Sequence, residues 1–323
     1  MTEAVAIENL SVTFTGGSKP VRAVDGVSLS LGQGEVLALL GESGSGKSVT
    51  LRSLLRLHPP KRSRMTGSIR VAGRDVLELS PGELADFRGG VVSMIFQEPM
   101  LALDPVYTVG AQITEAIRRH EKISAADARK RALALFERVR IPSPDRRLDA
   151  YPHEMSGGMR QRAMIALALA CRPSVLLADE PTTALDATVQ IQILLLLREL
   201  QRELGLSIIF VTHDIGVAVE IADRIAVMYA GRVVESGSVR DVIRGPRHPY
   251  TRGLLASRVE RAQKGDRLET IPGSPPDLTA LPPGCAFAPR CSLAAPQCRE
   301  IVPPLAEVGP AHTAACIRVA ETV

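Results

Sequence analysis

Aromatic side chains make up only 3% of this 323-residue chain, and tryptophan is absent. Few stacking platforms exist for bases, and a net charge of only +4 builds no basic field, so nucleic acid is not expected as a partner. Long apolar runs are missing as well. The longest, Ala163 to Cys171, falls far short of the roughly 20 residues a membrane helix needs, so the chain is not expected to cross a bilayer itself. The N-terminus, MTEAVAIENL, lacks the basic segment and apolar stretch of a secretory signal, which makes a cytoplasmic location the expectation. What is present is ordinary for a globular protein: 45% hydrophobic and 23% charged residues exclude a disordered chain. At roughly 150 residues per domain, the length suggests about two domains.

Residues 1–245 alternate short apolar runs with helical patterns. Val36 to Leu40, Val91 to Phe96, Val175 to Ala178 and Ile208 to Thr212 are apolar on both faces, as buried strands of a largely parallel sheet are. Val5 to Phe14 and Val24 to Leu31, with glycine turns at Gly26, Gly32 and Gly34, suit an antiparallel flank. Between about residues 98 and 155 the strand pattern stops. Ser124 with Asp127 three residues on resembles a capping box, and Leu133, Phe136 and Val139 follow at helical spacing, so a helical insertion is expected. Residues 246–323 hold 12 of the 23 prolines and lose regular periodicity, which predicts an irregular C-terminal extension. No internal repeat is discernible.

The strongest chemical signal is Gly41-Glu42-Ser43-Gly44-Ser45-Gly46-Lys47-Ser48, a full G-x-x-x-x-G-K-S loop between the strand Val36 to Leu40 and a helical run from Val49 to Leu57. Glycines let successive N–H groups curl around phosphate oxygens, Lys47 reaches the β- and γ-phosphates, and the Ser48 hydroxyl ligates Mg²⁺. Gly41, Ser43, Gly44, Ser45, Gly46, Lys47, Ser48 and Val49 are thus the expected nucleotide-binding residues. A second acidic site narrows the chemistry. Val175 to Ala178 ends in Asp179 and Glu180, which fits a strand whose first acid holds Mg²⁺ and whose second polarises an attacking water.

Ser156-Gly157-Gly158, shortly upstream of that acidic strand, resembles the signature motif of ATP-binding cassette (ABC) ATPases. That family's pattern starts with Leu and places Gln after the glycines, where this chain has Met155 and Met159. Other landmarks fall in the family's order. Gln97 resembles the Q-loop residue that senses Mg²⁺ and faces the membrane partner. Ala184-Leu185-Asp186 resembles the D-loop, His213 the switch histidine at the γ-phosphate, and Phe14 the aromatic that stacks on adenine. The resemblance covers about residues 3–260. It implies an α/β fold: a P-loop ATPase with a RecA-like core, an antiparallel β flank, the helical insertion and the extension. It also implies a site in which one chain's phosphate loop meets the other chain's signature.

FQEPM at Phe96 to Met100, PTTALD at Pro181 to Asp186 and HPYTRGLL at His248 to Leu255 are similar to ATP-binding subunits of bacterial dipeptide, oligopeptide and nickel importers. The resemblance implies ATP-driven peptide import, with a nickel importer or a soluble non-transport ABC protein as alternatives. The implied partners are two membrane permease subunits, an extracytoplasmic substrate-binding protein and a second, related ATPase chain, with this chain peripheral at the cytoplasmic face of the inner membrane. Against the soluble alternative, one cassette is present and no heptad run separates Lys47 from Ser156.

Four of five cysteines, Cys285, Cys291, Cys298 and Cys316, sit in the extension. Their spacing matches neither common zinc modules nor the usual ferredoxin runs, yet four thiolates suit a [4Fe–4S] cluster or tetrahedral zinc. Unligated or disulfide-bonded cysteines remain a third reading. The family resemblance implies the iron–sulfur cluster. Cys171, apolar-flanked on a helix, reads as a core residue.

Overall fold

A computed structural model describes residues 3–183, 185–257 and 270–321. In chain order, the first third runs β1 (Glu3–Phe14), β2 (Val21–Gly32), β3 (Val36–Leu40), α1 (Lys47–Ser53), β4 (Ser63–Val71) and β5 (Arg74–Asp75). Then come α2 (Pro81–Gly90), β6 (Val92–Ile95), α3 (Pro99–Ala102), α4 (Val109–His120), α5 (Ala125–Arg138), α6 (Pro144–Leu148) and α7 (Gly157–Leu169). The chain continues through β7 (Val175–Asp179), α8 (Ala187–Leu204), β8 (Ser207–Thr212), α9 (Ile215–Ile221), β9 (Arg224–Tyr229) and β10 (Arg232–Ser238). It closes with α10 (Val239–Arg244), α11 (Pro249–Ala256), β11 (Ala306–Gly309) and β12 (His312–Ala314). Two compact units result, one built mainly on Arg70–Val211, the other on Ala6–Ser30, Val36–Ile69 and Thr212–Val323.

In the first unit β6, β7 and β8 are parallel neighbours, with Val92 opposite Val175 and Ala178 opposite Phe210. Every residue of β7 is buried, as expected for strands covered on both faces. The helices are amphipathic for readable reasons. In α4, capped by the Thr108 hydroxyl, Val109, Ile113 and Ile117 recur four apart and are buried, while Arg118, Arg119 and His120 complement the C-terminal dipole. In α5 the Ser124 hydroxyl accepts from the Asp127 N–H, and Ala128, Ala132 and Phe136 form the buried stripe. Burying a side chain such as Phe136 contributes about 1.5–3 kcal/mol. The helix α7 is buried along most of its length, so its small residues (Ala163, Ala166 and Ala168) let neighbours approach closely.

In the second unit β3 lies parallel to β9, and β10 pairs antiparallel with β9 through a bulge between Val233 and Glu235. In the flank, β2, β1 and β4 follow one another in that order. The extension departs from the irregularity expected of it. β12 pairs antiparallel with β10, Glu235 opposite Ala314, and β11 pairs with β12. Strands of three and four residues are too short to leave a period in the sequence. Among the described residues no helix is long and apolar enough to cross a membrane.

Candidate nucleotide-binding site

The phosphate loop leaves the fully buried β3 and enters α1 earlier than the sequence suggests. The helix spans Lys47–Ser53 rather than starting at Val49, because Gly46, with φ of 101°, is its N-cap and the lysine itself forms the first turn. Two glycines are dictated by space. A Cβ at Gly41 would lie 2.3 Å from the Met228 carbonyl oxygen, and one at Gly46 would lie 2.6 Å from that of Ala23. Lys47 is 5% exposed, and its Nζ donates to the carbonyls of Gly41 (2.7 Å) and Glu42 (2.9 Å). The Ser45 hydroxyl is buried without a hydrogen-bond partner among the described residues. A curled loop with an ammonium resting on its own carbonyls and a spare buried hydroxyl suits a phosphate chain. Ser43 and Gly44 are exposed, and Ser48 and Val49 are half-buried.

Two further expected residues belong to the same unit. Phe14 ends β1, half-buried, with its ring edge-on to His58 at 5.4 Å. His58 Nε2 lies 2.9 Å from the Val49 carbonyl oxygen and 3.1 Å from the Ser53 hydroxyl, and burial pushes its pKa down. His213 follows β8, exposed, directly before Asp214, whose carboxylate caps α9 by accepting from the Gly216 and Val217 N–H groups.

The first unit carries the remaining residues. Asp179 ends β7 at 1% exposure. Glu180 follows in the left-handed region at φ 46°, a conformation that costs a non-glycine residue about 1–3 kcal/mol and clusters at functional sites. Its N–H donates to the Val211 carbonyl (3.1 Å), and its Oε2 accepts from the Thr183 hydroxyl (3.0 Å). Ser156 caps α7, its hydroxyl accepting from the Met159 N–H, and Gly157 and Gly158 form the first turn. Asp186 caps α8 through the Val189 N–H (2.9 Å). Gln97 is exposed just beyond β6. Ala184 lies outside the described residues.

Glu42 was not singled out by motif reading, yet it is held at three points. Its N–H donates to the Tyr250 hydroxyl (2.8 Å), its carbonyl accepts from Lys47, and its carboxylate takes both terminal nitrogens of Arg290 (2.7 and 3.0 Å). Tyr250 and Arg290 lie in the HPYTRGLL and cysteine-bearing stretches, whose residue patterns signal a subfamily and carry no role by themselves. Behind them the rings of Tyr229, Tyr250 and Phe287 pack in tilted and edge-on contacts at centroid distances of 4.6–5.4 Å. Burial raises the pKa of both tyrosines. His248, fully buried, is pushed down to about 3 and is therefore neutral. Its Nδ1 accepts from the Tyr250 N–H, which leaves the ring proton on Nε2.

Cys285, Cys291, Cys298 and Cys316 line one small cavity with His248 and Phe287, and none forms a disulfide. Burial raises the pKa of the Cys285, Cys291 and Cys316 thiols. Among the described residues, no group of three His, Cys, Asp or Glu side chains is arranged to hold a metal ion as it stands. Cys171 lies in the turn beyond α7 and is half-buried rather than a core residue on a helix, its thiol donating to the Ala116 carbonyl.

Comparison with known proteins fits this geometry. The chain matches the ABC transporter family over residues 24–183 and the family described as oligopeptide/dipeptide transporter, C-terminal region, over residues 234–298. It is 50% identical to the dipeptide transport ATP-binding protein DppD of Bacillus subtilis over 292 residues, 90% of this chain and 87% of the relative. With the oligopeptide transport ATP-binding protein OppD of the same organism it shares 49% identity over 314 residues, 97% of this chain and 88% of the relative. A putative peptide import ATP-binding protein of Brucella melitensis is 52% identical over 288 residues, 89% and 87% of the two chains. The solved dimer of a bacterial ABC transporter cassette superposes with a TM-score of 0.66 at 31% identity, covering 73% of this chain and 99% of that one. From its phosphate loop to its C-terminal region, the chain belongs to the ATP-binding cassette ATPases of ABC transporters, in the group that carries the oligopeptide/dipeptide C-terminal region.

Proposed function

We propose that this chain is the ATP-hydrolysing subunit that energises import of di- or oligopeptides through a membrane permease. The observation that carries this reading is the match along 97% of the chain, extension included, to an oligopeptide transport ATP-binding protein. Lys47 and the loop N–H groups hold the β- and γ-phosphates, and Phe14 supports the adenine. The hard oxygens of Ser48 and Asp179, joined by Gln97, suit Mg²⁺, which when bound neutralises charge on the phosphates. Glu180 accepts a proton from the attacking water, and His213 contacts the γ-phosphate. Two permease subunits and an extracytoplasmic binding protein select the peptide, and the chain works peripherally at the cytoplasmic membrane face.

The second half of each ATP site comes from a related partner chain through Ser156, Gly157, Gly158 and Asp186. Gly157 allows a clean test, because it is exposed and, among the described residues, a Cβ there meets only Leu185 Cδ2, at 3.8 Å. Replacing Gly157 by Asp should leave the fold and monomer ATP binding intact while it sets a carboxylate against the partner's γ-phosphate. Hydrolysis by the assembled transporter should fall at least tenfold, by the arithmetic of like charges in a closed site. Unchanged hydrolysis removes the signature from the partner's site, and equal loss of binding makes Gly157 a fold residue.

The four extension cysteines are the ligands we assign to a [4Fe–4S] cluster. Four thiols around one cavity supply the donor set, and they have to draw together to bind. Iron and acid-labile sulfide in the anaerobically purified chain support this assignment. Stoichiometric zinc points to a structural tetrahedral site, and absence of both metals overturns it.

A further inference from the structure

We propose that Arg290 is a positioning residue of the ATP site, neutralising the Glu42 carboxylate on the phosphate loop so that the loop can accept a triphosphate. The proposal rests on the ATP-binding reading above and names a residue that reading does not use. The loop is odd in one respect: a segment built to hold a polyanion carries its own carboxylate at its second position.

Arg290 answers that carboxylate with the geometry of a dedicated partner. Its side chain is 6% exposed and that of Glu42 is 25% exposed. The guanidinium makes four hydrogen bonds: Nε donates to the Pro272 carbonyl (2.8 Å), Nη1 to Glu42 Oε2 (2.7 Å) and the Tyr229 hydroxyl (3.3 Å), and Nη2 to Glu42 Oε1 (3.0 Å). Such a fork-to-fork pair fixes direction as well as charge. The Tyr229 and Phe287 rings lie about 6 Å from its central carbon, so the cation cannot turn to water without leaving this packing.

The consequence for ATP is electrostatic. With Arg290 in place, Glu42 adds no net negative charge to the loop. Without it, a bare carboxylate shares the loop with the incoming phosphates, on the same residue whose carbonyl holds Lys47. Arg290 also directly precedes Cys291 and ends the 3-10 turn Ala288–Arg290, so the cysteine loop and the phosphate loop share this one ion pair.

The test compares three variants of the full-length chain by titration with Mg-ATP and by steady-state hydrolysis in the assembled transporter. R290M should weaken ATP binding about tenfold, the size expected of one uncompensated charge several ångströms from a polyanion. KM should rise while kcat changes little. E42Q should bind ATP at least as tightly as the wild type, because it removes the repelling charge. The double variant E42Q/R290M should recover to within about threefold of wild type if the pair acts through charge. A brace that only holds shape predicts the opposite, with E42Q as weak as R290M and the double variant no better, and that result overturns the proposal. Should R290M not fold, R290K keeps the charge but loses the fork, and is expected to bind Mg-ATP within about threefold of wild type; a loss of about tenfold or more in R290K, with E42Q equally weak, overturns the proposal. A wild-type chain that does not bind Mg-ATP at all fails the ATP-binding reading instead.

Discussion

Replacing Lys47 by methionine or alanine is expected to abolish productive ATP binding. The ammonium is 5% exposed and rests on the carbonyls of Gly41 and Glu42, poised to exchange those oxygens for phosphate oxygens. Charge-assisted hydrogen bonds are worth about 1.5–3 kcal/mol each, so losing two to the phosphates lowers affinity by about 10²-fold or more. Methionine keeps most of the aliphatic stem that packs in the loop, so the K47M chain should melt close to the wild type. Isothermal titration with Mg-ATP reads the effect. Affinity and turnover like those of the wild type in K47M would remove the phosphate loop from the site.

Glu180→Gln should separate hydrolysis from binding. The residue is held by its backbone, with φ of 46° and its N–H on the Val211 carbonyl, and by the Thr183 hydroxyl on Oε2. Glutamine can keep that hydrogen bond while losing the charge that accepts a proton from water. Turnover is therefore expected to fall about 10²-fold or more, the usual contribution of a general base. ATP affinity should persist, and the stalled chain should accumulate as an ATP-bound dimer with its partner, because the ligand that favours closure is no longer consumed. Sizing chromatography with and without Mg-ATP reads the second effect beside the turnover assay. Near-normal turnover excludes Glu180 as the base, and lost binding gives it a metal-holding role.

The nucleotide chemistry was legible because its determinants are local. Gly41 to Ser48 declares a loop, and at Gly41 and Gly46 no other residue could stand without meeting the Met228 or Ala23 carbonyls. β7 declares itself as a fully buried strand that ends in acids. Short-range capping is partly readable too: Ser124 and Ser156 stand where caps are expected, and Asp186, legible in the sequence as a D-loop residue, also caps α8. What stayed hidden is long-range. Arg290 reaches Glu42 across 248 positions, and β12 joins β10 across 77, and neither pairing leaves a periodic trace. The cysteine count announced a cluster, whereas the arrangement of the thiols depends on the turns between them.

The pairing of β12 with β10 bears on how far this ATPase can be shortened. A chain cut after residue 245 would bare one side of β10, whose central residues Val233 to Gly237 are all buried. It would also strip Glu235, at 0% exposure, of three donors: the N–H groups of Arg247 and His248 and the ring of His312. An open sheet margin recruits strands from other molecules, and a buried carboxylate without partners destabilises the strand that carries it. The C-terminal region thus acts as a selvedge for the cassette: trimmed to its nucleotide-binding motifs, the protein would be left with a self-adhesive rim.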